Sequence, residues 1–273
     1  MSGPMNYRHG YHAGNFADVL KHLALVAILI HLRKKDTGFA VVDSHAGRGR
    51  YDLAGAEAGK TGEAQGGIGR LADLSGEMPQ ALSTYLSLVK ESDAYPGSPL
   101  IAAKLLRPQD RLTAIEKHPE EFAVLEKVLA TYRNAAAEQA DGYIRALKLL
   151  PPPLRRGLVL IDPPFESPEE FSALAQAMRE AFRKFATGIF LVWYPIKSRA
   201  DADAFTAEVL ASGAAKAMTI ETRIRAPEGK LGCAGLLVIN PPYGFAEVME
   251  QSARLLAPRL GCEVTQAWLA GAE

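Results

Sequence analysis

Asp162-Pro163-Pro164-Phe165 is the stretch of this chain whose residue types point most specifically to chemistry. Residues 158–161 run apolar into the acid, and two prolines then stiffen the backbone and leave its carbonyls without local partners. A carboxylate and a proline carbonyl held this way can accept both hydrogens of an exocyclic amine. The amine lone pair is then drawn out of conjugation and aimed at an electrophilic methyl group. The ring of Phe165 offers a face on which a base can stack. Asp162, Pro163 and Phe165 are therefore the candidate catalytic residues. Taken alone, the tetrapeptide is equally a rigid turn closing a strand.

Two other stretches compete with it. Asn240-Pro241-Pro242-Tyr243 has the same residue types. It follows a strand expected to run antiparallel, so it should point to the opposite edge of the sheet, and it reads as a turn. Residues 54–61, Ala-Gly-Ala-Glu-Ala-Gly-Lys-Thr, fit a loose phosphate-loop pattern with residues 158–162 as the partner strand. A phosphate loop must follow directly on a buried strand, and residues 48–53 do not form one. The ATPase reading predicts tight ATP binding that is lost on Lys60→Ala.

The elements that must position these residues follow from periodicity. Residues 16–35 read as a helix with Asn15 as N-cap and Asp18 in a capping-box position. Strands are expected at 39–43, 111–116, 136–141, 157–162 and 187–194, with helices at 120–131, 143–149, 168–185 and 201–212 between or after them. Residues 217–224 and 235–240 are separated by too few residues for a crossover helix and should pair antiparallel. The sum is an α/β fold: an open, mostly parallel seven-stranded sheet with an antiparallel terminal hairpin. Residues 52–97 lack a central strand and read as an inserted, mostly helical subdomain on a single domain spanning 1–273.

In such sheets ligands bind beyond the carboxyl ends of the parallel strands. Those ends offer Asp43, His45, Gly47 and Gly49, then Glu116, then Asp141-Gly142, then Asp162, then Trp193-Tyr194-Pro195. The set suits an adenosine ligand. Glycines admit the backbone closely, and acids accept hydrogen bonds from ribose hydroxyls and an adenine amine. A lone histidine such as His22 on an apolar helix is more often a satisfied core residue than a ligand. No carboxylate–imidazole cluster matches a zinc signature, so no metal is expected.

Composition bounds the rest. The 273 residues are 48% apolar and 23% charged, with zero formal net charge. Any nucleic-acid contact must therefore come from a local patch. The expected patch is Arg8, His9, Arg48 and Arg50, with Asp52, Glu57, Glu63, Asp73 and Glu77 as the acidic counterweight. Cys233 and Cys262 lie far apart, as reduced thiols of a cytoplasmic protein would. Residues 1–14 lack a signal-peptide core, and the apolar run 23–30 is too short to span a bilayer.

The segment Tyr7-Arg8-His9-Gly10-Tyr11-His12-Ala13-Gly14-Asn15-Phe16-Ala17-Asp18-Val19-Leu20-Lys21-His22 resembles the opening of the RlmJ family, bacterial 23S ribosomal RNA adenine-N6 methyltransferases. The similarity continues in Asp43-Ser44-His45-Ala46-Gly47-Arg48-Gly49-Arg50-Tyr51, Tyr95-Pro96-Gly97-Ser98-Pro99, Glu116-Lys117-His118-Pro119, Asp141-Gly142, Leu160-Ile161-Asp162-Pro163-Pro164 and Trp193-Tyr194-Pro195. It spans almost the whole chain. The resemblance implies a Rossmann-like class I methyltransferase using S-adenosyl-L-methionine on 23S ribosomal RNA. It implies cofactor contacts at His22, His45, Ser98, Glu116, Asp141, Gly142 and Asp162, and an RNA contact at Tyr7. Gly47 of the glycine turn joins the candidate cofactor residues, and Arg8 of the basic patch the candidate RNA contacts. A monomer is expected, with no obligate protein partner evident in the sequence. Phe165 stands where the family commonly has tyrosine, and Arg48 where it has a small residue. A DNA adenine substrate, or a catalytically inactive RNA-binding scaffold, are the other readings.

Overall fold

The computed structural model describes residues 9–55, 60–227 and 229–272. Helix α1 (Phe16–Arg33) starts as expected, with Asn15 Oδ1 accepting from the amides of Ala17 and Asp18 at 2.9 Å each. Asp18 reaches back to the Gly14 amide at 2.9 Å, one residue beyond the donor of a reciprocal capping box. From Phe16 to Leu29 every residue of α1 is buried, because the sheet lies on one side of it and further helices cover the other. That setting forces the polar residues on α1 to find partners inside the protein. Among the described residues no helix is long and apolar enough to cross a membrane.

The strands are β1 (Ala40–Asp43), β2 (Arg50–Tyr51), β3 (Tyr95–Pro96), β4 (Arg111–Glu116), β5 (Ala135–Gln139), β6 (Gly157–Ile161), β7 (Ile189–Pro195), β8 (Ala217–Ile224), β9 (Cys233–Ile239) and β10 (Cys262–Ala270). The main sheet has the order β5-β4-β1-β6-β7-β9-β8-β10. Strand β1 pairs in parallel with β4 on one side and β6 on the other, which makes the β1/β6 junction the switch point of the topology. Strand β9 enters between β7 and β8 and runs against both.

The sheet therefore has eight strands where the sequence indicated seven. The additional strand, β10, is antiparallel to β8 and follows directly on a helix over Phe245–Leu260. Its burial alternates between half-buried and exposed, but Gln266 takes a half-buried position and Ala267 an exposed one, which breaks the apolar–polar alternation in the sequence. The preceding helix carries Pro258 in its last turn and is closed by Gly261 at φ 63°, which leaves no loop to announce the change.

Strands β2 and β3 pair only with each other, Arg50 with Pro96 and Tyr51 with Tyr95. The chain between them holds helices over Glu63–Gly66 and Gln80–Lys90 and a single helical turn at Ile68–Leu71. No strand of the main sheet thus leads into residues 54–61, as a phosphate loop requires. Residues 56–59 of that stretch lie outside the described residues.

Asn240 follows the last residue of β9, and Ile239 pairs with Phe190 and Ala217 near the starts of β7 and β8. Asn240-Pro241-Pro242-Tyr243 thus lies at the opposite edge of the sheet from Asp162. Asn240 adopts φ 52°, and its Nδ2 donates to the carbonyls of Ala186 at 2.9 Å and Gly188 at 2.7 Å, which pins a turn.

Candidate active site

Beyond the carboxyl ends of β1, β4, β5 and β6 lies a cleft of about 390 Å³. It is lined by His22, His45, Gly47, Ser98, Glu116, Asp141, Gly142 and Asp162, so all eight expected cofactor residues meet there. Of the three candidate catalytic residues only Asp162 faces it. Pro163 is buried behind the lining and Pro164 takes its place. Phe165 adopts φ 50° and packs its ring edge-on to Phe171 and Trp193, with centroids 4.9 and 5.7 Å away. Tyr7 and Arg8 lie outside the described residues.

The central feature of the site is one the sequence reading missed. The Lys21 ammonium lies 2.7 Å from Asp18 Oδ1 and 2.5 Å from Asp162 Oδ2, with the lysine and Asp18 almost wholly buried. Burial alone pushes Lys21 toward neutrality, but Asp162 and Asp18 together outweigh it and hold the ammonium above the ordinary lysine range. A signal was available: Asp18 and Lys21 sit three residues apart on a helix whose other residues up to Ile30 are almost all apolar.

Glu116 ties the β1 end to the β4 end. Glu116 accepts from the Gly47 amide at 2.8 Å through one oxygen and from the His118 amide at 2.7 Å through the other. Burial raises its pKa more than these donors lower it. Gly47 has φ 60°, and a Cβ there would stand 2.2 Å from the Tyr51 hydroxyl. At Gly142 a Cβ would meet the Ser44 carbonyl at 2.1 Å, so only glycine lets this wall close. Asp141 caps the helix over Gly142–Lys148 through the Ile144 amide at 3.2 Å. Burial would raise its pKa, but its bond to Lys117 at 3.0 Å and the cap together lower it.

Deeper in, Ser98 donates to Asp43 Oδ2 at 2.7 Å, while Asp43 Oδ1 is buried without a partner. Burial, reinforced by nearby Asp162, pushes this carboxyl up to about 7. His22 Nδ1 lies 2.8 Å from the Tyr95 hydroxyl, which lies 3.0 Å from that of Tyr85. Ser44 Oγ donates its one proton to the Leu160 carbonyl at 3.0 Å and sits 2.8 Å from His45 Nδ1. His45 must then carry its proton on Nδ1, leaving Nε2 as an acceptor. Burial lowers its pKa to about 4, so the ring is neutral near pH 7.

The expected basic patch does not form as drawn. Arg48 is bound through two nitrogens to the buried Glu121, at 2.8 and 2.6 Å, which neutralises its charge. Arg50 lines a separate cleft with Glu91, Asp93, Lys104 and Lys127. Arg8 and the His9 side chain lie outside what the structure describes. On the acidic side, Glu63 is bonded to His12 and Asn15, and Asp73 pairs with Arg259.

The cleft lining is thus rich in acceptors: Glu116, Asp141, Asp162 and Glu170, with His45 Nε2 beside them. It suits a ligand that carries hydroxyls, amines and positive charge, and it disfavours a polyphosphate. Among the described residues no group of three or more His, Cys, Asp or Glu side chains is placed to hold a metal ion.

This sheet order, with the reversed β9 and the cleft at the switch point, is that of a Rossmann-like class I methyltransferase. A solved Legionella pneumophila protein superposes with a TM-score of 0.86 at 32% identity, covering 96% of this chain and 99% of that one. A probable spermidine synthase from Corynebacterium glutamicum shares the fold alone, with a TM-score of 0.51 at 12% identity and coverage of 96% and 77%. Residues 36–270 match the family model described as "Ribosomal RNA large subunit methyltransferase D, RlmJ". Proteins called ribosomal RNA large subunit methyltransferase J are similar throughout. The one from Haemophilus influenzae is 38% identical over 97% of both chains, and that from Escherichia coli 39% over 90% of both. The chain belongs to the RlmJ family.

Proposed function

We propose that this protein transfers a methyl group from S-adenosyl-L-methionine to the N6 amine of an adenine in 23S ribosomal RNA. The observation that carries the reading is the state of Asp162. Its Oδ2 is committed to Lys21, while Oδ1 makes no bond to any described protein group in a cleft lined by acceptors. The family membership and the names of the relatives support the ribosomal substrate.

The residues present fit the cofactor. The unpartnered Oδ1 of Asp43, the glycine wall at 142 and the acceptors Glu116, Asp141 and His45 match a ligand with ribose hydroxyls and an ammonium group. When bound, S-adenosyl-L-methionine supplies an electrophilic methyl group. In this reading Lys21 pairs with Asp162 and fixes its rotamer. Asp162 Oδ1 accepts one amine hydrogen, which turns the nitrogen lone pair out of the ring's conjugation. As the nitrogen–carbon bond forms, the methyl group's bond to sulfur breaks with its electron pair left on a neutral thioether, and the amine proton leaves along that hydrogen bond and passes to solvent. Residues 52–97 act as an inserted subdomain of one methyltransferase domain. A paired adenine must first be flipped out.

The direct test is methyl transfer from labelled cofactor to protein-free 23S RNA and, in parallel, to plasmid DNA, with mass spectrometry of the nucleosides. N6-methyladenosine in the RNA is expected. Label only in DNA, or RNA binding without transfer, overturns the reading.

Two variants probe the parts. Glu116→Ala should weaken cofactor binding by about 1.5–3 kcal/mol, the scale of charge-assisted hydrogen bonds. Part of that loss is indirect, because the Gly47 and His118 amides lose their acceptor. Unchanged affinity by calorimetry in a folded variant removes Glu116 from the site. Asn240→Ala should instead cost about 2 kcal/mol of stability in urea denaturation, through two lost bonds and an alanine forced to positive φ. Its turnover should stay near wild type; a large fall in turnover without a stability change means the other Pro-Pro loop is catalytic.

A further inference from the structure

The chain is neutral overall, yet one group of cations is drawn together at the amino end of the sheet, away from the acid-lined cleft. Arg33, Lys34 and Lys35 close α1, Arg107 and Arg111 flank the start of β4, and Arg155 and Arg156 precede β6. Strands β4 and β6 pair on either side of β1, whose first residue is aligned with both Arg111 and Gly157, so these segments adjoin. Direct contacts draw them together. Arg107 donates to the carbonyls of Arg33, Lys35 and Thr37, and Arg156 to those of Leu32 and Thr37. Both guanidiniums also sit over the Phe39 ring, at 5.7 and 5.9 Å from its centroid.

Part of this has an ordinary structural purpose. Arg107 and Arg156 cap the carbonyl end of α1, and cations generally suit helix C-termini. The side chains of Lys34, Lys35 and Arg155 cap no carbonyl; they are exposed and make no hydrogen bond or ion pair among the described residues. The acids on these same segments are Asp36 and Asp110, and Asp110 is buried and paired with Arg107. The crowding has a measurable mark. His31 is held below its ordinary pKa by burial and then by Lys34, Arg156 and Lys35.

We infer that this amino-end cluster is an anchor for the RNA phosphate backbone, remote from the methylation site. Lys34, Lys35 and Arg155 contact phosphates, while Arg107 and Arg156 hold the surface rigid. The inference rests on the RNA-methyltransferase reading and supplies what that reading lacks. The cleft itself is acidic, and Arg48 of the glycine turn is neutralised, so a polyanion needs attachment elsewhere. The five residues of β6 separate Arg156 from Asp162, so the anchor stands roughly 15–20 Å from the cleft at the usual rise of a strand. Only an RNA long enough to pass around the sheet edge engages both.

The test compares wild type with the triple variant Lys34→Ala, Lys35→Ala, Arg155→Ala, and with a triple variant to other cations (Lys34→Arg, Lys35→Arg, Arg155→Lys). Binding to a 23S RNA fragment is measured across a salt series, alongside cofactor affinity and thermal melting. The alanine variant should bind the fragment about tenfold or more weakly at low salt, and lower the logarithmic salt slope by about 2–3, roughly one per phosphate contact. KM for the fragment should rise with kcat unchanged. Turnover of an adenine-containing trinucleotide, cofactor affinity and melting should not move, and the cation-for-cation variant should behave as wild type. If wild type methylates the fragment and the alanine variant matches its slope and KM, the anchor is wrong while the function stands. If wild type neither binds nor methylates RNA, the function reading fails and the anchor with it.

Discussion

Asp162→Asn is expected to lower methyl transfer about a thousandfold, the upper range for removing one preorganised electrostatic group from a reacting centre. The amide has the shape of the carboxylate but not its charge, so it can neither keep the Lys21 contact as an ion pair nor accept an amine hydrogen as strongly. Cofactor affinity should change far less, since Glu116, Asp141 and His45 are untouched. Single-turnover rates with saturating cofactor measure this. A rate within tenfold of wild type removes Asp162 from the chemistry.

Lys21→Met carries the second large effect, and it falls on stability as well as turnover. The substitution removes the ammonium that the buried Asp18 and the half-buried Asp162 share. Breaking a buried ion pair by deleting one partner costs about 3–5 kcal/mol. Urea denaturation should show that loss. Adding Asp18→Asn removes one of the two stranded charges and should restore a substantial part of the stability, but not the activity, because Asp162 still lacks its ammonium. Full activity in the double variant shows that Lys21 acts only as a structural counter-ion.

The outline of the site was legible in the sequence because it depends on one-dimensional order. An acid or glycine at the end of each buried strand must face the same edge once the strands are parallel, and so Gly47, Glu116, Asp141 and Asp162 meet. The Asn15 cap and the antiparallel β8–β9 pair were legible for a similar reason: each involves only neighbours in the chain. What was not legible requires knowing a distant partner. Lys21 and Asp162 are 141 residues apart, and Arg48 and Glu121 are 73 apart. A helix pattern says that Lys21 is buried, not what neutralises it. A glycine-turn arginine looks free until the helix over Pro119–Leu129 brings Glu121 beside it. Strand β10 escaped because an edge strand need bury only part of each side chain.

Phe165 shows how narrowly the proposed catalytic tetrapeptide is held in place. Left-handed backbone costs a residue with a Cβ about 1–2 kcal/mol, and here it follows two prolines that cannot bend to share the load. Edge-on aromatic contacts of the kind Phe165 makes with Phe171 and Trp193 are worth about 0.5–1.5 kcal/mol each beyond simple burial. Strain and restraint are therefore of the same size, and loosening either aromatic neighbour removes part of what holds this backbone in its left-handed turn.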